Sequence, residues 1–461
     1  MTTQFRKMAW WSTRAIVLIG ASHVGQSIAQ ETVDVKGTAL VEQAATNAEP
    51  EPEIPSGSES SHKVSPIGRE TLTGDWGGKR SRLVADGFTW WGSYISETFG
   101  VVRGGLRKGT AYTQQVNVGL DLDMERIAGW QGAKFHFILN DRAGDNTSAK
   151  YIGNFFNVQE IYGFQWAKIS EISYEQDLAG KKVNLQIGYL PIGTEFGALA
   201  GSCDFVNVAL CAHPKNFSMG SGWTGYPAAT WGAQVRFHAR PDITLRAGLF
   251  QVAPTVIEKR YAFNLFGART TGVMMPVEVE YAPSRAKGSK ALPGSYKLGF
   301  YYDTSNAPRI GEAGEVDDRY GFYANFSQVL RRSPDKKRNL SAIGYLAFNP
   351  RGGAPVTEWY LAGLIKTGTF KSRDSDTFGV ALIKSVINPR QRRAHAANVV
   401  GSEPFADLPA GESVAELAYG AQIREWLVVR PSLQFIFDPG AFSYETRPTA
   451  VAAGVQVKVQ F

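Results

Sequence analysis

Charged side chains recur at every second position of several otherwise apolar runs, and that spacing limits what they can do. Asn117, Gly119, Asp121 and Asp123 alternate with Val116, Val118, Leu120 and Leu122. Arg236 and His238 alternate with Val235, Phe237 and Ala239, and Arg246 with Leu245 and Ala247. Glu278 and Glu280 lie between Val277, Val279 and Tyr281, and Lys297 between Tyr296 and Leu298. Residues two apart on an extended chain share a face, so each run has one apolar side and one side of acids and bases. Lys134, His136 and Gln186 fall on the same polar side. Such a face suits hydrogen-bond exchange with a hydrated polar solute, and opposed acidic and basic walls would set up a transverse field. It does not suit bond cleavage, which needs a nucleophile beside its base.

The elements that position these groups are strands. Val455, Val457, Val459 and Phe461 occupy one face of the final run, and Gln456, Lys458 and Gln460 the other. About ten residues is the length a tilted strand needs to cross a bilayer. Val183, Leu185 and Ile187 repeat the pattern, as do Ile243 to Leu249. Trp359, Leu361, Gly363 and Ile365 form one face, and Leu433, Phe435 and Phe437 another, whereas Leu340 to Phe348 is too evenly apolar to phase. Arg240-Pro241-Asp242 reads as a hairpin turn and Arg373 to Asp376 as another. Polar faces on so many strands are costly in a dry core and cheap around water. At about 25 residues per strand and connection, the chain after its N-terminal zone predicts an all-β, transmembrane antiparallel barrel of about sixteen strands. A barrel of that size leaves an aqueous channel.

The totals agree. Of 461 residues only 20% are charged, 12% are aromatic and 49 are glycine. Arg6, Lys7 and Arg14 precede the apolar run Ala15 to Ala21 and a small-x-small site at Ser27-Ile28-Ala29, which predicts a signal peptide over 1–29. Its removal takes three bases from the formal charge of +7, leaving +4, too small and diffuse for nucleic-acid binding. Residues 30–67, with Glu49 to Pro52 and Ser56-Gly57-Ser58, read as a disordered periplasmic linker. A helix over 75–86, capped by Asp75 and ended by Gly87, opens the barrel domain 68–461. Cys203 and Cys211 would reach an oxidising compartment, where they could pair, and neither metal-ligand spacing nor a cofactor motif is present.

Several stretches resemble one family. They include Leu72-Thr73-Gly74-Asp75-Trp76-Gly77-Gly78, Gly104-Gly105-Leu106-Arg107, Gly129-Trp130-Gln131-Gly132, Ile152-Gly153-Asn154, Pro293 to Gly299 and Asp438-Pro439-Gly440. Over residues 69–461 the chain resembles the OprB-type carbohydrate-selective porins of Gram-negative outer membranes. The resemblance implies a sixteen-stranded barrel for passive diffusion of sugars. It also singles out Glu97, Glu171, Glu175 and Glu195 as lumen residues, and Phe461 as a signal for the outer-membrane assembly machinery. Ser173, where the family carries Trp, and Phe205 to Leu210, which lacks the family's glycine turn, depart from the pattern and leave the solute open.

Sugars present hydroxyl rims and apolar ring faces. Acids, bases and aromatics are therefore the expected channel lining, with Trp223, Tyr226 and Trp231 as candidate stacking platforms or as an interface girdle. The residual positive charge and the lumen arginines tilt the expectation toward sugar acids. Both a monomer and a trimer, bathed in outer-membrane lipid, fit the sequence. Two rivals remain: a barrel enzyme of lipase type, for which no G-x-S-x-G elbow is found, and a secreted all-β sugar-binding protein.

Overall fold

The alternating runs become strands, as a computed structural model describing residues 70–211, 213–317, 319–398 and 403–461 shows. The expected signal peptide and linker lie outside the described residues. In chain order the strands are β1 (Phe88–Arg103), β2 (Thr110–Asp123), β3 (Ala133–Gly144), β4 (Lys168–Leu178), β5 (Val183–Leu190), β6 (Thr230–Arg240), β7 (Ile243–Val252), β8 (Gly272–Tyr281) and β9 (Gly294–Asp303). There follow β10 (Ala307–Pro308), β11 (Glu315–Val316), β12 (Arg319–Arg332), β13 (Asn339–Phe348), β14 (Val356–Thr367), β15 (Thr377–Ile387), β16 (Ser413–Arg424), β17 (Leu427–Phe437) and β18 (Ala450–Gln460). All but the β10–β11 ribbon close into one antiparallel barrel of sixteen strands, with β1 bonded to both β2 and β18. Closure leaves no unpaired sheet edge, which a bilayer would not tolerate.

The seam is made by the final strand. Gln456 turns inward and donates to Glu97 at 2.7 Å, so alternation puts Lys458 on the lumen side and Val455, Val457 and Val459 outside. Phe461 exchanges two backbone hydrogen bonds of 2.9 Å with Gly92. Its ring covers Gly92 so closely that a Cβ there would sit 2.4 Å from it. Only glycine fits.

The connections differ by rim. One rim has tight links such as 179–182, 241–242 and 425–426, and the other carries 145–167, 191–229, 253–271 and 388–412. Short turns face the periplasm and long loops the exterior in barrels of this kind. Below the seam, α1 (Lys79–Ala85) starts four residues later than expected, because Gly77 and Gly78 adopt positive φ and break the helix ahead of it. Asp75 still serves the helix start, accepting from Ser81 N at 2.8 Å, and buried Arg80 ties it to Trp90 O at 3.1 Å.

The two long connections 145–167 and 191–229, the second containing α3 (Lys215–Gly220), run into the barrel and give it a core. Phe196, Phe205, Leu210, Phe217 and Trp223 of the second connection are buried, and they pack against Tyr301, Tyr323, Tyr345 and Trp359 of the wall. Phe217 meets Trp223 at 5.0 Å and Tyr301 at 5.2 Å between ring centroids. The apolar face Trp359, Leu361, Gly363, Ile365 therefore turns inward, while Leu433, Phe435 and Phe437 turn outward. The unphased run in β13 divides as Ile343, Tyr345 and Ala347 inside, with Leu346 and Phe348 outside.

Candidate channel constriction

The polar runs meet on one arc of the wall, from β2 to β9, because neighbouring strands bring their inward registers side by side. Asp121 and His136 are directly opposed on β2 and β3, and their side chains bond at 2.7 Å. The other imidazole nitrogen reaches Glu175 at 3.1 Å, and Asn184 donates to Glu175 at 2.7 Å. Further round, Arg236 on β6 faces Arg246 on β7, and Arg246 faces Glu278 on β8. Two like charges directly opposed across a strand pair are unfavourable. The sequence answers with acids. Arg246 contacts Glu278 at 3.0 Å and Glu280 at 2.7 Å. Glu195, from the inserted loop, takes Arg236 at 2.5 Å and lies 3.9 Å from Arg246. Lys297 completes the arc 3.6 Å from Glu278 and donates to Ala198 O at 3.0 Å. A small recess opens here between loop and wall, lined by Asn184, Glu195, Phe196, Gln234, Val235, Arg236 and Arg246.

Other expected site residues lie elsewhere. Asp123 belongs to the periplasmic rim, where it caps α2 (Met124–Ala128) by accepting from Glu125 N and Arg126 N, so its carboxylate is occupied by a turn. Glu171 is buried within the wall and accepts from Ser173 at 2.6 Å and Gln186 at 3.1 Å. Trp223 is 3% exposed, so no ring face is open to a solute. Trp231 is in the outward register and stacks on Phe266 at 4.8 Å, a girdle position. Tyr226 alone of the three aromatics reaches lumen polar groups, donating to Asn117 on β2 at 2.5 Å. Cys203 and Cys211 are joined by a disulfide within the insert, whose Cys203 carbonyl accepts from Arg430 at 2.9 Å.

Five lumen acids hold the inward loops by their backbone amides. Glu97 accepts from Ile161 N at 3.3 Å, and Glu412 from Phe155 N and Phe156 N at 2.8 and 3.0 Å. Glu278 accepts from Gly197 N at 2.9 Å, Asp303 from Gly222 N at 2.7 Å, and Glu416 from Val206 N and Asn207 N at 2.8 and 2.9 Å. Each satisfies amides that would otherwise be buried bare. Asp303, Glu412 and Glu416 are absent from the sequence-based candidates. Glu416 carried a signal nonetheless, an acid in register with Val414 and Ala418.

His213 shows how tightly the insert is built. Its ring lies where a Cβ on Gly193 or Gly225 would come within 2.3 or 2.2 Å, so two glycines make its slot. Burial pushes its pKa down to about 3, and burial likewise lowers Lys215, in α3, to about 8.

A barrel with an inward loop facing a charged arc is a selective pore. The family model described as carbohydrate-selective porin, OprB family, matches residues 107–461. The chain belongs to the OprB family of carbohydrate-selective porins. Porin B of Pseudomonas aeruginosa is 28% identical over 424 residues, covering 85% of this porin and 91% of that protein. The putative porin QuiX of Acinetobacter baylyi is 28% identical over 416 residues, covering 85% and 93%. The high-pH structure of Pseudomonas putida OprB superposes with a TM-score of 0.79 at 28% identity, covering 87% of this porin and 100% of that chain. This porin is thus an outer-membrane channel for carbohydrates, and membership of a family of passive pores sets aside the lipase and soluble-protein readings.

Proposed function

We propose that neutral sugars cross by passive diffusion between the insert and the charged arc, exchanging hydrogen bonds with Glu195, Arg236 and Arg246. The observation that carries this reading is the contact of Glu195 with both arginines. Paired charges leave a wall rich in donors and acceptors with little net pull on an ion, and a hydroxylated solute can trade water for such groups at small cost. The expected tilt toward sugar acids is therefore dropped, since Glu195, Glu278 and Glu280 engage the arginines that would attract an anion. Asp121, His136, Glu175 and Lys297 extend the lining along the same arc, and Tyr226 offers a hydroxyl nearer β2.

The test is single-channel conductance in planar bilayers with added glucose or gluconate. Glucose should reduce ion current through wild-type channels more than gluconate at equal concentration, and Arg236→Glu with Arg246→Glu should move ion selectivity toward cations. Stronger block by gluconate would overturn the neutral preference, and unchanged selectivity would overturn the assignment of this arc to the pore. Export by a cleaved leader over 1–29, supported by its residue pattern, is checked by N-terminal sequencing of the purified protein. A role for Phe461 in recognition by the assembly machinery is supported by its place at the closing seam.

A further inference from the structure

The connection between β7 and β8, residues 253–271, turns outward instead of into the lumen. Its Ala253, Val256 and Ala268 pack on Tyr189 and Ala229, with Ile169 and Trp231 alongside. Tyr189 and Trp231 are paired across β5 and β6 in the register opposite to the lumen residues Gln186 and Gln234. Two hydrogen bonds fix the loop there, Ile169 N to Ala262 O at 3.0 Å and Trp231 Nε1 to Leu265 O at 2.9 Å. The loop thus lies over the outside of the barrel at its outer rim. Its own outer surface is apolar: Ile257, Phe263 and Phe266 are 52%, 61% and 82% exposed. The same connection carries three bases, Lys259, Arg260 and Arg269, against one acid, Glu258, which pairs with Arg260 at 2.8 Å and leaves the patch a net charge of +2.

We propose that this loop is a docking surface for a phosphate-bearing acylated glycolipid of the outer leaflet. Phe263, Phe266 and Ile257 would lie against its acyl chains, and Lys259, Arg260 and Arg269 would face its phosphates. Hydrocarbon alone would cover the aromatics, but it offers nothing to Lys259 and Arg269, whose charge Glu258 does not offset because it is paired with Arg260, and an apolar face beside a basic one is what an acylated anion complements. The other occupant to consider, the same loop of a second copy, would bring two net-positive patches together.

The purified full-length porin in neutral detergent tests this by thermal unfolding with diphosphoryl lipid A, with the same lipid stripped of its phosphates, and with phosphatidylcholine. Diphosphoryl lipid A should raise the unfolding temperature, and the other two should raise it much less. The triple variant Lys259→Ala, Arg260→Ala, Arg269→Ala should need at least about ten times more of the diphosphoryl lipid for the same shift, at unchanged conductance. Phe263→Ser with Phe266→Ser should weaken the response to both forms of lipid A. Equal responses to phosphorylated and stripped lipid would overturn the proposal, as would a triple variant that responds like wild type. A change of oligomer size in the phenylalanine variant, with its lipid response intact, would give the surface to a second copy and also overturn it.

Discussion

The lumen wall has two arcs built by the same alternation but facing different neighbours. From β2 to β9 the inward residues are Asp121, His136, Glu175, Arg236, Arg246, Glu278 and Lys297, joined in ion pairs and hydrogen bonds. From β12 to β16 the inward residues are mostly apolar, among them Tyr323, Ile343, Tyr345, Trp359, Ile383 and Val414, all buried in one cluster with the inserted loops. The first arc can stay polar because it borders the channel. The second can be apolar because protein, not water, covers it. Where the inserted loops cover the wall, an acid persists only with loop amides to bond, as Glu416 does with Val206 N and Asn207 N.

If packing on the apolar arc holds the insert, the largest effect should follow Phe217→Ala. Removing a fully buried ring at the centre of this cluster costs about 3–5 kcal/mol, taken from the loop's anchoring. Conductance should rise and sugar block should fall, while resistance of the barrel to SDS at room temperature persists. An unchanged channel would mean that the apolar arc does not position the loop.

Glu416→Ala should come next, since it leaves the amides of Val206 and Asn207 without their acceptor, at about 1–3 kcal/mol. Noisier open-channel current and faster loop proteolysis are expected, and wild-type noise would reduce Glu416 to a bystander. pH provides a third, smaller lever. His213 has its folded pKa depressed to about 3 by burial, so its contribution to stability is present above the ordinary histidine value and is lost as pH falls below it. Between pH 7 and pH 5 the insert should lose on the order of 1–2 kcal/mol of anchoring, seen as rising current noise. His213→Gln should flatten that dependence. The smallest effect belongs to Asp123→Ala at the rim below the polar arc, which should lower barrel stability by about 1 kcal/mol through its lost helix cap and leave ion selectivity alone. A selectivity change would return Asp123 to the pore.

The strands and their outward faces were legible because lipid imposes a strict period of two, as in Val455 to Val459 and Leu433 to Phe437. The charged register was legible for the same reason, and Arg236, Arg246, Glu278, Glu280 and Lys297 do converge. The covering of the wall was not. Trp359 and Leu361 obey the same alternation whether an apolar face meets lipid or an inward loop, and local pattern has no way to tell the two apart. Trp223 misled for a related reason, since an aromatic in a glycine-rich loop reads the same whether its ring is open or enclosed. The amide-clasping acids depend on contacts from 64 residues apart, between Glu97 and Ile161, to 210 between Glu416 and Val206 and 257 between Glu412 and Phe155, and no spacing rule reaches that far.

The insert leaves the wall at Leu190 and returns at Thr230, which are hydrogen-bonded neighbours on β5 and β6. Its two ends are therefore pinned side by side whatever lies between them. The barrel acts as a fixed frame and the insert as an interchangeable gasket. Residues can be added to or taken from the stretch between those points, changing the bore, without shifting a single strand register in the frame.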